Sequence, residues 1–262
     1  MLEKTVPVVI CTYRRLDRLG STLSQLIMQT DCTVEVLIWN NNPEGRELID
    51  ATIKLYPKLK VTVHHSGHNI GGFGRFYFAR RISSRYSFVI FIDDDVILNN
   101  NAISTLIKEF EPRTIRSFHA FKFKTKEDYF YRQRLKAGEE ADYCGTGGAI
   151  CDTTIFKEKE LFQCPKKYWF IEDLWLSYYA SHVLGWKLYK SKAEIKLIED
   201  GKNQWVELKN LKTEFLQHLV RQGWDVVNGT YGLHERILDA PVRYSEKVLG
   251  RIKYLLKIRM PF

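Results

Sequence analysis

The sequence predicts an α/β protein: one Rossmann-like domain with a mostly parallel central sheet flanked by helices, followed by a C-terminal helical extension. Three observations carry that expectation. Short apolar runs alternate with segments of helical period through the N-terminal part of the chain. The runs are continuous rather than alternating, as in strands buried on both faces. Polar residues gather where the runs end, and in a parallel sheet those ends share one edge, where such sheets bind ligands.

Taken in order, Val6 to Thr12 reads as a first strand, ending on Tyr13-Arg14-Arg15. A helix is expected over Arg15 to Gln29, with Leu16, Leu19, Leu23, Leu26 and Ile27 at helical spacing. Val34 to Trp39 is a second strand, closing on Asn40-Asn41-Asn42-Pro43. Arg46 to Tyr56 reads as helix and Val61 to His65 as strand. A glycine-rich loop, Gly67 to Gly74, leads into a helix over Arg75 to Ser84. Phe88 to Ile92 is a buried strand running directly into Asp93-Asp94-Asp95. Thr12 to Arg14, Asn40 to Pro43 and Asp93 to Asp95 are therefore expected to converge.

The second part is less regular. Phe118 to Phe123, Gly147 to Cys151 and Trp186 to Tyr189 read as strands, and Glu172 to Leu184 and Trp205 to Gly223 as helices. The expected organisation is a catalytic domain over 1–200, with a donor half of about 1–98 and an acceptor half of about 99–200, then the extension over 201–262.

The chain has 262 residues, a net charge of +9, and 6 Trp, 14 Tyr and 15 Phe. The positive balance favours an anionic ligand, whether nucleic acid, membrane or phosphate. Neither zinc-finger spacing nor an RNA-binding signature is present, so no nucleic acid partner is expected. Five cysteines without a CxxC pair, and no leader-like start, lead us to expect a cytoplasmic protein.

Three adjacent carboxylates repel one another and add nothing to a strand end. A hard divalent cation, Mn²⁺ or Mg²⁺, would neutralise them, and such ions take oxygen ligands together with substrate phosphates. Asp93 and Asp95, two apart on an extended segment, can share one target. A late histidine, His234 or alternatively His218, is the expected further metal ligand. Glu172-Asp173, flanked by Tyr168, Trp169 and Phe170, offers a general base beside a sugar-stacking surface, with the choice between the two carboxylates open. Asn69-Ile70-Gly71-Gly72-Phe73-Gly74-Arg75 suits phosphate contact but is neither a P-loop nor a dinucleotide fingerprint. Cys144 to Ala149, with Gly147 and Gly148, is a candidate floor for an acceptor pocket. Neither HExxH nor GxSxG occurs.

These segments together resemble the inverting glycosyltransferase family 2, which has the GT-A fold. Val8 to Arg15 resembles its first strand and base-contacting turn, and Leu37 to Asn42 its second-strand end, where Asn40 stands in place of the usual Asp. Asn69 to Gly74 resembles the Asn-x-Gly-Gly-x-Gly run of the rhamnosyl- and galactofuranosyltransferase-like branch. Phe91 to Asp95 is similar to the DxD element, and Tyr168 to Leu174 to the segment supplying the base. The resemblance implies that Thr12, Tyr13 and Asn40 surround the base of a UDP- or dTDP-sugar, with Arg14, Asn69 and Gly71 also on the donor. Asp93 or Asp94 would contact ribose, Asp93 and Asp95 the cation, and Arg75 the phosphates. Asp173, with Glu172 beside it, would deprotonate an acceptor hydroxyl, and Gly147, Gly148 and Trp169 would line the acceptor site.

Arg243, Lys247, Arg251, Lys253, Lys257 and Arg259 interleave with an apolar stripe near the C-terminus. A basic amphipathic helix of this kind predicts peripheral contact with the inner face of a membrane and a glycan or lipid-linked acceptor, with homodimerisation the other use of such a helix. The rival readings are a sugar nucleotidyltransferase, which would want a glycine-rich loop after the first strand, an Asp-x-Asp phosphatase, which would want its nucleophile there, and a non-catalytic basic binding module.

Overall fold

The computed structural model describes residues 5–198 and 207–226. The strands are β1 (Thr5–Thr12), β2 (Thr33–Asn40), β3 (Lys60–His65), β4 (Phe88–Asp93), β5 (Val96–Leu98), β6 (Thr114–Ser117), β7 (Ala120–Phe123), β8 (Arg132–Arg134), β9 (Tyr143–Cys144), β10 (Gly148–Asp152), β11 (Lys187–Lys190) and β12 (Ile195–Leu197). The helices are α1 (Leu19–Ile27), α2 (Arg46–Lys54), α3 (Gly74–Ile82), α4 (Ala102–Lys108), α5 (Glu172–Tyr178) and α6 (Lys209–Arg221).

A seven-stranded sheet in the order β11-β6-β10-β4-β1-β2-β3 forms the centre. β1 pairs in parallel with β2 and β4, β2 with β3, and β6 with β11, while β10 runs antiparallel between β4 and β6. The expected α/β class and mostly parallel sheet are what the chain forms. β-branched residues dominate the central strands, and alternate side chains pack on opposite faces. Val8, Ile10, Val36, Ile38, Ile90 and Ile92 are fully buried against Leu19, Leu23 and Leu26 of α1 and against α4. On the other face, Phe156 packs its ring against Phe91 of β4 and Phe76 of α3. Each such side chain adds roughly 1.5–3 kcal/mol of burial, so the sheet is a stiff platform.

Several expected elements differ in extent. The first helix is preceded by a short 3₁₀ turn, Leu16–Arg18, because the chain must bend over the site before α1 begins at Leu19. Phe118 to Phe123 is not one strand. The backbone breaks at Phe118-His119, where the Ser117 hydroxyl accepts from the His119 N–H, so β6 stays in the main sheet and β7 joins β8 and β9 in a second one. The helix expected over Glu172 to Leu184 becomes α5 and then a π-helical stretch, Tyr179–Val183. α6 spans Lys209–Arg221 and docks by stacking Phe215 on Tyr168, centroids 3.7 Å apart. The compact unit containing the sheet runs to Val226. His234 and the basic C-terminal segment lie outside the described residues. All five cysteines are free thiols, and no helix among the described residues is long and apolar enough to cross a membrane.

Candidate active site

The register of the parallel strands builds the site. Thr12 lies opposite Asn40, and Cys11 opposite Asp93, so the ends of β1, β2 and β4 share one edge. Strand order reverses between β1 and β4, the position where open α/β sheets bind ligands. A cleft of about 230 Å³ opens there. Thr12, Tyr13 and Arg14 line it after β1, Asn69, Gly71 and Arg75 at the glycine-rich loop, and Asp93, Asp94 and Asp95 after β4. Glu172 and Asp173, at the start of α5, complete it. The three converging segments thus meet, together with the acidic pair from far along the chain.

Asn40 is an exception. It is fully buried. Its side-chain amide donates to the Asn42 carbonyl at 2.7 Å, its oxygen accepts the Asn42 N–H at 2.8 Å, and the amide also meets His65 Nδ1 at 3.0 Å. It shapes the turn from below, because a buried amide must satisfy its polar atoms locally. Its neighbour Asn41 lines the cleft and staples the glycine-rich loop, accepting from Ile70 N–H and donating to the Gly71 carbonyl.

Arg75 is the electrostatic hub. It is 4% exposed, yet donates to Asp93 Oδ1 at 2.7 Å, to the Thr146 carbonyl at 2.9 Å and to the Gly72 carbonyl at 3.2 Å, and its Nε lies 3.3 Å from Glu172 Oε1. Burial opposes its charge, but Asp93 and Glu172 hold the guanidinium ionised well above its usual range. Glu172, also accepting from Thr146 Oγ1, is pushed up to about 7 by burial against the pull of Arg75. The approach is close enough that glycine is required: a Cβ on Gly72 would sit 1.9 Å from Glu172 Oε1, and one on Gly147 2.5 Å from Asp93 Oδ2.

Arg15, buried beneath the loop, reaches Asp94 Oδ1 at 3.1 Å and Asp95 Oδ2 at 3.5 Å. Burial pushes Asp94 up to about 6 in spite of Arg15, and burial with the adjacent Asp93 charge pushes Asp95 up to about 7. Asp95 Oδ1 is buried without a hydrogen-bond partner. Such an orphan oxygen is costly unless something binds it, and a hard cation is the fitting ligand. Among the described residues no three Cys, His, Asp or Glu side chains cluster as a complete metal cage. One or two aspartates with donor phosphates is the ligand set Mg²⁺ and its like prefer.

A second, wider pocket of about 440 Å³ adjoins the first and shares Asp93, Asp95, Thr146, Asp173 and Lys212 with it. Asp173 Oδ1 accepts the Leu174 N–H at 2.8 Å, and Oδ2 accepts from the Tyr143 hydroxyl. The carboxylate is thereby oriented while facing both spaces. Gly147 lines this pocket, whereas Gly148 is buried within β10. Trp169 lines neither pocket: it stacks on Phe73 at 5.1 Å and donates to the Cys164 carbonyl, and the exposed aromatic in the cleft is Phe170. His218 packs against Tyr168 and Phe215 on α6, away from the aspartates.

Sequence reasoning named Asn41 and Phe170 only as members of their segments, gave Arg15 no role of its own, and missed His119, Tyr129, Arg132, Tyr143 and Lys212. The first three lie inside recognised segments and were within reach. The others come from short strands and from α6, with no spacing to connect them.

The profile of the family described as glycosyl transferase family 2 matches residues 8–167, more than half of the chain. No curated protein matches. Among solved structures, the mannosyltransferase PcManGT from Pyrobaculum calidifontis, in complex with GDP-Man and Mn²⁺, is similar at 13% identity and a TM-score of 0.60, covering 84% of this chain and 64% of that one. GalNAc-T7 with UDP, GalNAc and Mn²⁺ is similar at 17% identity and 0.60, covering 74% and 44%. TarS 1-349 of S. aureus in complex with UDP gives 17% and 0.52, covering 89% and 77%. This chain therefore spans less than two thirds of the first two. At these identities the likeness concerns the fold, which is the GT-A arrangement.

Proposed function

The chain belongs to glycosyl transferase family 2, and from that premise we propose a cation-dependent, inverting transfer of a sugar from a nucleoside-diphosphate donor to an acceptor hydroxyl. The observation that carries the proposal is the position of Asp173, an oriented carboxylate bordering both the narrow cleft and the wider pocket. The donor occupies the narrow cleft, with its base beside Thr12, Tyr13 and Arg14 and its diphosphate toward the aspartates and Arg75. The acceptor enters the wider pocket. Asp173 takes the proton of the acceptor hydroxyl as that oxygen attacks the anomeric carbon, opposite the departing diphosphate. Tyr143 fixes the carboxylate for that transfer. Glu172, turned inward onto Arg75, positions the arginine rather than accepting the proton.

Asp95, with Asp93, would hold a divalent cation, Mn²⁺ or Mg²⁺. When bound, such an ion neutralises the charge that gathers on the leaving diphosphate. Its partnership with a nucleotide in PcManGT and GalNAc-T7 supports this reading. His234 is retained as a further ligand on sequence grounds alone. The Asn69-Ile70-Gly71-Gly72-Phe73-Gly74 run supports a donor of the rhamnosyl or galactofuranosyl kind, carried on UDP or dTDP.

Two measurements test the proposal. A nucleoside diphosphate with Mn²⁺ should raise the melting temperature, and Asp95→Ala should remove that rise; stabilisation that survives the substitution moves the cation site elsewhere. Asp173→Asn should lower transfer by roughly 10²–10⁴-fold, the usual contribution of a general base, while nucleotide binding stays within about twofold. Loss of nucleotide binding in that variant would reassign Asp173 to the donor.

A further inference from the structure

The wider pocket carries basic side chains that the transfer chemistry above does not use. Arg132 comes from β8, Lys212 from α6, where it borders the narrow cleft as well, and His119 from the bend between β6 and β7. Elsewhere the basic groups of the site are paired, Arg75 with Asp93 and Glu172, and Arg15 with Asp94. Arg132 and Lys212 instead face aromatic rings. The Arg132 guanidinium lies 4.5 Å from the centroid of Phe121, 5.4 Å from Tyr129 and 5.8 Å from Phe130, and Lys212 Nζ lies 5.2 Å from Tyr129. Among the described residues neither side chain makes a hydrogen bond or a salt bridge.

Ring faces support a cation but leave its N–H donors unsatisfied. A guanidinium held this way presents a fork that matches the oxygens of a phosphate or carboxylate. Lys212, drawn down by burial but more strongly up by Tyr129 and Asp173, keeps its charge. Burial and Arg132 push His119 down to about 4, so it joins as a neutral hydrogen-bonding ring. The pocket's carboxylates come from the end of β4 and the start of α5, and its cations from β8 and α6. A substrate with a neutral hydroxyl at one end and an anion at the other satisfies both groups.

The geometry points to an acceptor that carries an oxyanion, phosphate or carboxylate, held by Arg132 and Lys212 while its hydroxyl meets Asp173. This rests on the glycosyltransferase reading and deepens it by naming the acceptor's chemical class. The test uses the full chain saturated with UDP and Mn²⁺, so that the donor cleft is filled and nucleotide binding is scored separately. Glucose 6-phosphate, glucuronate and methyl glucoside are titrated by calorimetry. We expect at least one charged probe to bind tenfold or more tightly than methyl glucoside. That preference should fall fivefold or more in Arg132→Ala and in Lys212→Gln, with partial recovery in Arg132→Lys. The phosphate and carboxylate arms then tell which oxyanion the pocket prefers. Equal binding of charged and neutral probes, or a charge preference that both variants retain, overturns the inference. Absence of UDP binding in the unaltered protein overturns the donor reading instead, so the two failures are distinct.

Discussion

At the scale of single residues, Arg75 and His119 show how burial sets chemistry. Arg75 survives as a buried cation because Asp93 and Glu172 flank it; either carboxylate lost alone would leave charge unpaired, which is why such clusters respond non-additively. For His119 the pull of Asp173 is outweighed by burial and Arg132, and its imidazole is held near 4, below the ordinary 6.5. A base whose folded pKa is depressed stabilises the fold above 6.5, and that stability is lost as pH falls toward 4, because the unfolded chain takes up the proton first. In His119→Asn the difference in unfolding free energy between pH 7 and pH 4 should shrink by on the order of 2–3 kcal/mol, read by urea unfolding at the two pH values. An unchanged difference would mean that the ring is solvated. Neither role was legible beforehand. Arg75 was expected to meet donor phosphates and not to tie Asp93 to Glu172, and His119 was one of 7 scattered histidines, since burial is a property of the fold and not of the neighbours in sequence.

At the scale of elements, the narrow cleft was legible and the wider pocket was not. β1, β2 and β4 are runs of Val, Ile, Leu and Phe followed at once by polar residues, so sequence adjacency encodes spatial adjacency. The wider pocket is assembled from β8, β9, α5 and α6; β8 and β9 are three and two residues long, and no spacing in the sequence links the four. The break at Phe118-His119 is a case in point: the run Phe118 to Phe123 has strand composition throughout, and only the pairing of Thr114–Ser117 with β10 and of Ala120–Phe123 with β9 leaves its first two residues between two sheets. α6 matters because it delivers Lys212, and its hold on the body is the buried Phe215 stacked on Tyr168. Phe215→Ala should cost about 3–5 kcal/mol, as large aromatic truncations in cores do, and should raise the acceptor KM more than the donor KM. An equal rise in both would mean that α6 supports the whole site and not the acceptor side.

At the scale of the whole molecule, the net charge of +9 is not explained by the site, where acidic residues are prominent. Part of the excess belongs to the C-terminal segment, where Arg251, Lys253, Lys257 and Arg259 crowd among apolar residues. If this segment meets an anionic bilayer, each basic residue contributes roughly 1 kcal/mol near the surface. The full chain should then co-sediment with phosphatidylglycerol vesicles and not with phosphatidylcholine vesicles. Changing those four residues to Gln should weaken the association at least tenfold and leave nucleotide-dependent stabilisation unchanged; equal affinity for both vesicles would remove the membrane assignment.

Arg75 also limits how such a catalyst can be rebuilt. Its side chain binds Gly72 of the glycine-rich loop, Asp93 at the end of β4, Thr146 before β10 and Glu172 at the head of α5. Those four anchors span both halves, so the halves are not interchangeable cartridges. A chimera that grafts the front of this protein onto the back of a relative inherits a working centre only if it imports the matching glutamate and carbonyl along with the arginine, and shuffling libraries cut near residue 98 should yield few active members unless those contacts travel together.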